Sequence, residues 1–340
     1  MIKTVEFENF KAFKKVTIPL EPLTVFVGPN SSGKTSVLHG LKILSQSQED
    51  MKVAGANPAL SYRRGGTGQF SLRVVGGKNG ETEIKLQGQP MPLKEELGQE
   101  VGNLQLMPET NPYVLGNVVF LELNAIQLAT PSYSQEEIPT LSSSGGGLAS
   151  VLVDLQLREP ERFSEVANAL KAVIPAVERL RFKRARVVDR DRGLWSHRLI
   201  VDFRGAKDVP AYLVSQGTLL ALAFLTVLLS KPAPQLVLMD DIDHGLHPKA
   251  QWEFIKVLRK IMAQNPELQI LATSHSPYFL DELKPEEVRM TSLDENGEAH
   301  CAPLLQNPDF EKWKDDLSAG ELWSVLGDEW VNKLQEKGAH

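Results

Sequence analysis

Cysteine is nearly missing from this chain: Cys301 is the only one in 340 residues. No internal disulfide can form, and no cysteine cluster can hold zinc. Long apolar runs are missing too. The longest, Leu219 to Leu229, is too short to span a bilayer and reads as a buried helix. The opening M-I-K-T-V-E-F-E-N-F-K has no apolar signal core. Positive charge is not in excess either. A net charge of −6 argues against wholesale coating of nucleic acid or anionic membrane, while leaving room for a local basic patch. There is no internal repeat and no sustained heptad pattern. These absences point to a soluble, cytoplasmic chain with no membrane partner, long enough for one large domain or two modest ones.

What is present is concentrated in G-P-N-S-S-G-K-T, Gly28 to Thr35, followed by Ser36. It follows a short apolar run, Thr24 to Val27, and opens a helical pattern with Val37, Leu41 and Leu44 on one face. Strand, glycine loop and helix are the context a phosphate-binding loop of the Walker A type requires. Gly28 and Gly33 let the backbone curl so that amide N–H groups point inward at an anion, and the new helix adds its positive dipole end. Pro29, Asn30, Ser31 and Ser32 complete the loop. Lys34 would reach the β- and γ-phosphates, and Thr35 would hold Mg²⁺. The alternative is a plain glycine turn with a surface lysine.

In chain order, residues 2–7 and 13–20 read as two strands around a turn at Asn9 to Ala12. The composition shifts at about Gln46. Beyond it, Phe70–Val75 and Thr82–Leu86 are expected to form a hairpin in a peripheral β layer spanning 47–113. A strand at Val114–Leu123 returns to the core. Ser142 to Gly147, S-S-S-G-G-G, reads as a flexible hinge. It carries a helical lobe (142–175) made of Leu148–Leu157 and Pro160–Val173. Arg179 to Arg186 and Arg198 to Phe203 alternate like a β-hairpin. Val214 to Thr218 runs into the apolar helix, and Leu236 to Met239 suits a parallel strand covered on both faces. A helix at Pro248–Met262 and a strand at Gln269–Thr273 complete a crossover. Residues 291–340 are expected to supply edge strands and one amphipathic helix bearing Leu322, Val325, Leu326, Trp330 and Leu334.

Four further features accompany the loop. Asp240 ends an apolar strand and suits a Walker B carboxylate near Mg²⁺, while Asp241 could orient or deprotonate the attacking water. His275, in A-T-S-H-S-P, could hydrogen-bond a γ-phosphate. Ser215 and Gly217 open a helix with a hydroxyl and free amides, either as a second anion-binding end or as a plain N-cap. Together these residues resemble the ABC-type ATPases of the SMC, RecF and OLD-like branch. Asp240 to Pro248 (D-D-I-D-H-G-L-H-P) is similar to that branch's Walker B and D-loop. Val214-Ser215-Gln216-Gly217 is similar to its signature motif, Ala272 to Pro277 to its H-loop, and Phe7 to Phe13 (F-E-N-F-K-A-F) to its opening.

The resemblance covers roughly 1–46 and 208–290. It implies an α/β fold, an ABC-type P-loop ATPase head with a mostly parallel core sheet, an antiparallel β layer and a small helical lobe, all within one domain. It further implies ATP and Mg²⁺, and a head-to-tail homodimer or higher oligomer in which the loop of one copy faces Ser215 and Gly217 of the other. For the glutamine that senses Mg²⁺, Gln127 fits better than Gln46. Asp241 stands where the branch usually has Glu, a shorter arm that implies slow turnover. No coiled coil is encoded between Lys34 and Ser215. The chain stops soon after the ATPase core, which points to a separate effector, a nuclease or toxin, in DNA repair or anti-phage defence. A RecF-like clamp on DNA and a transporter's nucleotide-binding subunit are the other readings.

The basic run is the remaining candidate. Arg179, Arg181 and Lys183 share one strand face and could follow a phosphate backbone. Otherwise they belong to a solvated hairpin paired with its own acids.

Overall fold

A computed structural model describes residues 1–45, 70–76, 82–89, 103–106, 117–134, 136–189 and 192–338. The chain begins with β1 (Ile2–Phe10), β2 (Phe13–Pro19), β3 (Leu23–Val27) and α1 (Lys34–Ser45). Next come β4 (Phe70–Gly76), β5 (Thr82–Gln89), β6 (Asn103–Leu106), β7 (Val118–Leu121), α2 (Ala125–Ala129), α3 (Leu148–Arg158) and α4 (Pro160–Val173). A three-strand stretch, β8 (Val177–Asp189), β9 (Arg192–Phe203) and β10 (Ala206–Pro210), leads to α5 (Gln216–Leu229), β11 (Leu236–Met239) and α6 (Pro248–Gln264). The chain closes with β12 (Gln269–Thr273), α7 (Pro277–Leu280), β13 (Val288–Leu293), β14 (Ala299–Pro303), α8 (Phe310–Trp313), α9 (Ala319–Leu326) and α10 (Glu329–Gly338). Two compact units result. One holds Met1–Val118, Gln235–Met239 and Glu267–His340; the other holds Val119–Pro234 and Asp240–Pro266.

In the first unit β3, β11 and β12 are buried at every residue. That is what parallel strands covered on both faces require. β12 lies between β11 and β3, parallel to both, and β13 pairs parallel with the other side of β3. β14 then adds antiparallel to β13. The C-terminal strands are therefore not both edges: β13 lies directly beside the strand that feeds the glycine loop. A second, antiparallel sheet runs β2-β1-β4-β5-β6. The expected β layer is thus built jointly with the N-terminal hairpin, Val5 pairing with Val74 and Phe7 with Leu72. The single amphipathic helix expected near the C-terminus is two. Gly327, with φ +62°, caps α9 and turns the chain into α10, because glycine enters this region without the Cβ penalty.

In the second unit β8, β9 and β10 form an antiparallel sheet, longer than the hairpin read from sequence. α5 is buried nearly all round, from Gly217 to Leu228, as expected of a helix apolar on every face. α4 packs against α3, α5 and α6 through the face holding Val166, Leu170 and Val173. The Ser142–Gly147 segment is not the flexible hinge its composition suggests. Glu122 N–H donates to Ser143 O and Asn124 N–H to Ser144 O, both at 2.9 Å, and Ser142 N–H closes onto Gly146 O at 2.9 Å. Backbone hydrogen bonding has turned a glycine-rich stretch into a defined turn, with Gly145 at φ +94° against Leu128. The expected strand at Val114–Leu123 is shorter, Val118–Leu121, and 107–116 lie outside the described residues.

Candidate functional site

The first unit carries the glycine loop between β3 and α1. Gly28 has φ +147°, and a Cβ there would lie 2.1 Å from Thr291 O. Gly33 has φ +95°, and a Cβ there would lie 2.7 Å from Phe13 Cζ. Both glycines are required by conformation and by space. Thr291, on β13, braces the loop from behind: its Oγ1 donates to Val27 O at 3.0 Å and lies 2.5 Å from Ser32 Oγ. Ser32 Oγ is also within 2.8 Å of Pro29 O. Sequence reading missed Thr291, because a threonine in a strand of mixed character, V-R-M-T-S-L, carries no motif. The parallel pairing of β13 with β3 alone brings it to the loop.

Lys34 is not the surface lysine of the plain-turn reading. Its residue is 5% exposed, and its Nζ donates to Gly28 O at 2.9 Å and Pro29 O at 2.7 Å. A buried ammonium must be hydrogen-bonded, and here the loop's own carbonyls satisfy it. Pro29, Asn30 and Ser31 form an exposed tip, with Ser31 at φ +66°; Thr35 and Ser36 are half-buried at the start of α1. This cradle suits a phosphate chain. Its glycine positions exclude side chains, and a lysine and a hydroxyl stand at the helix start. When bound, a nucleotide triphosphate with Mg²⁺ would supply the scissile phosphoanhydride and the charge that Lys34 and Thr35 would meet.

The F-E-N-F-K-A-F opening acquires a physical role. Phe7 stacks with Phe10 and with Phe13, each at 5.4 Å between centroids. Phe7 also lies where a Cβ on Gly40 of α1 would be, 2.3 Å from Cε1. The aromatic layer thus supports the loop helix from below. His275 belongs to the same unit. Thr273 is level with Phe26 in the β12–β3 pairing, and Ser274 N–H donates to Phe26 O at 3.0 Å. His275 and Gly28 therefore leave neighbouring parallel strands at the same end of the sheet, and His275 is exposed there.

The second unit holds Gln127, Ser215, Gly217, Asp240 and Asp241. Asp240 follows Met239, the last residue of β11, and its N–H donates to Leu121 O at 3.0 Å. Asp241 adopts φ +51°, a left-handed conformation Asp tolerates better than most residues. Its carbonyl accepts from His244 N–H at 3.0 Å. Ser215 is the N-cap of α5, its Oγ accepting from Thr218 N–H at 3.4 Å. Gly217 packs on the turn after Asp241: a Cβ there would lie 2.2 Å from Gly245 O. Glycine against glycine is the only way these backbones can meet so closely. Gln127 is exposed on α2, whose N-cap Asn124 accepts from Ile126 and Gln127 N–H. Gln46 lies outside the described residues.

The basic face looks inward for its partners. Arg181 donates to Asp202 through Nε (2.8 Å) and Nη2 (2.6 Å), and through Nη2 to Asp208 Oδ1 (2.6 Å). Lys183 Nζ lies 2.9 Å from Asp208 Oδ1. The Arg181 guanidinium, helped by Asp208 N–H, holds the Asp202 carboxyl well below the usual carboxylate range. Two of the three cations expected to follow a phosphate backbone are thus engaged within the hairpin, whereas Arg179 is exposed. Among the described residues no helix is long and apolar enough to cross a membrane.

Comparison with known proteins adds two family matches. Residues 100–281 match the model described as "AAA domain, putative AbiEii toxin, Type IV TA system", and residues 1–100 match "AAA ATPase domain". The OLD nuclease of Thermus scotoductus is 20% identical over 86% of this chain and 62% of its own length. The Septu protein PtuA of Bacillus mycoides is 23% identical over 89% of this chain and 42% of its own length. The chain thus spans about half the length of these curated relatives. Among solved structures, an Smc head bound to the C-winged helix domain of ScpA superposes with TM-score 0.59 at 16% identity, covering 89% of this chain and 98% of that one. The Smc head with an extended coiled coil from Pyrococcus furiosus gives 0.57 at 12% identity, covering 93% and 99%. The fold is that of an SMC-type head.

Proposed function

From the premise that the chain belongs to the AAA domain family matched over residues 100–281, and so is an ATPase of the AAA, SMC and OLD type, we propose that it is a slow, ATP-gated dimeric switch governing an effector. Lys34, Thr35 and the loop amides of Gly28 to Gly33 hold the triphosphate. The Mg²⁺ roles that the family resemblance implies fall on Thr35 in the first unit and on Asp240 and Gln127 in the second. Asp241 activates water, and His275 contacts the γ-phosphate. Ser215 and Gly217 offer the amide end of α5 to the nucleotide of a second copy, so that two-fold symmetry completes both sites at once. Loss of the γ-phosphate then loosens the pair.

The observation that carries this reading is the loop itself. Lys34 is buried and held by Gly28 and Pro29 carbonyls, and the two glycines leave no room for side chains. A lysine held within the loop by those two carbonyls supports a role in meeting a phosphate there. The effector role rests on likeness to a relative named as a nuclease, and points to action on nucleic acid in DNA repair or anti-phage defence. A clamp that grips DNA through the basic hairpin is less favoured, since Arg181 and Lys183 already meet Asp202 and Asp208.

Binding of a fluorescent ATP analogue, with and without Mg²⁺, tests the site. Lys34→Ala is expected to abolish binding. Because it also strips the Gly28 and Pro29 carbonyls of a charged donor, binding is measured well below the variant's own melting temperature, with its fold verified by circular dichroism. Retained affinity in that variant would overturn the assignment. Purification of the native complex tests the effector role: a co-purifying nuclease-like or toxin-like chain supports it, and a solitary chain that binds duplex DNA only with ATP replaces it.

A further inference from the structure

His275 is exposed two residues beyond the buried end of β12, and the helical turn that follows it, α7, has only four residues. A helix so short is not stable by itself. It is held by α9, which comes from the far end of the same unit. Ser318 caps α9 with a capping box, accepting from Glu321 N–H at 3.3 Å while its own N–H donates to Glu321 Oε2 at 2.9 Å. The Ser318 hydroxyl also reaches Asp281 Oδ1 at 2.6 Å, and Gly320 N–H donates to the same oxygen at 3.1 Å. Asp281 in turn closes α7, its N–H donating to Pro277 O at 3.1 Å. The approach is at backbone distance: a Cβ on Gly320 would lie 2.1 Å from Pro277 O and 2.5 Å from Asp281 Oδ1.

We infer that Asp281 is a positioning residue, and that the Asp281–Ser318–Gly320 latch sets the place of α7 and, through it, the backbone from which His275 reaches the γ-phosphate. The inference rests on the role proposed above for His275. Phe279 and Leu280 are fully buried, so the apolar side of α7 is fixed by the core. The latch governs the remaining freedom, the tilt of the turn that begins two residues after His275. Small displacements matter at such a place, because misplacing a catalytic group by about 1 Å can cost about a hundredfold in rate.

The experiment is single-turnover ATP hydrolysis by the full chain with Mg²⁺, with nucleotide affinity measured separately. Asp281→Ala is expected to slow hydrolysis by about tenfold or more with affinity changed less than about twofold. Asp281→Asn keeps an acceptor oxygen for both bonds and is expected to restore most of the rate. Ser318→Ala, a milder change that leaves the Gly320 bond in place, should fall between. Because latch and histidine act by one route, the Asp281→Ala/His275→Ala double variant is expected to be no slower than His275→Ala alone. The latch is overturned if Asp281→Ala and Ser318→Ala hydrolyse at the unchanged rate. It is overturned too if affinity falls in step with rate, or if the two losses multiply. A His275→Ala variant at full rate would instead remove the γ-phosphate role itself, and that outcome is distinct from a slow His275→Ala beside an unaffected Asp281→Ala.

Discussion

Single residues show where this chain has spent its conformational freedom. Asp241 sits at φ +51° and its carbonyl accepts from His244 N–H, so the candidate base is placed by backbone shape. Asp241→Asn removes the base and keeps the tolerated conformation. It is expected to slow turnover by about 10²–10⁴-fold, measured as phosphate release, with nucleotide binding retained. Cys301 is 4% exposed, and burial pushes its thiol up to about 12. A thiolate is therefore not formed at neutral pH. Disulfide-exchange reagents should leave the native protein unlabelled and modify it only in denaturant. Ready labelling of the folded chain would contradict this burial.

Elements are joined by a few polar ties that sequence patterns do not announce. Arg289 on β13 is 2% exposed, and burial lowers its pKa. It donates to Pro19 O and to Glu286 O, each at 2.6 Å, and to Val288 O at 3.1 Å. It thereby fastens the end of β2 to the strand that braces the glycine loop. Arg289→Met strips those carbonyls of a charged donor and should cost about 2–4 kcal/mol in urea unfolding. In the basic hairpin the tie is Arg181 with Asp202. The folded pKa of Asp202 is depressed, so its contribution is complete above the unfolded carboxylate pKa, about 4. That contribution fades as pH falls through the lower folded value. The melting deficit of Asp202→Asn is thus expected to hold from pH 7 to about 5 and to shrink in stronger acid. A deficit that grows on acidification would exclude the ion pair as its source.

At the scale of the whole molecule, the proposed switch depends on nucleotide and on a second copy. Ligand that binds only the folded chain stabilises it by about 2.7 kcal/mol at a hundred times its dissociation constant. ATP with Mg²⁺ should therefore raise the melting temperature in a concentration-dependent way, and Lys34→Ala should abolish the rise. Light scattering with a non-hydrolysable analogue is expected to show a doubled mass. Ser215→Arg should prevent the doubling while the chain still binds nucleotide, because a bulky cation would stand at the amide end offered to the partner. A monomer under saturating analogue would refute the dimeric switch.

Much of the architecture was legible before any coordinates, and for identifiable reasons. The four-residue apolar run Leu236–Met239 reads as a strand buried on both faces, and Gly28 to Thr35 reads as a glycine loop between strand and helix, as both are found. Local chemistry determined those features, so sequence alone sufficed. Ser142–Gly147 reads as a flexible hinge because its order comes from the Glu122 and Asn124 amides donating to Ser143 and Ser144 carbonyls, which no local pattern reveals. The braces were invisible for the same reason: Thr291 reaches the loop only through strand pairing, and Asp281 meets α9 only because Gly320 permits backbone contact. Which residues carry charge and curvature is written along the chain. Which of them touch is decided by pairing between residues far apart along the chain, and only the folded structure holds that information.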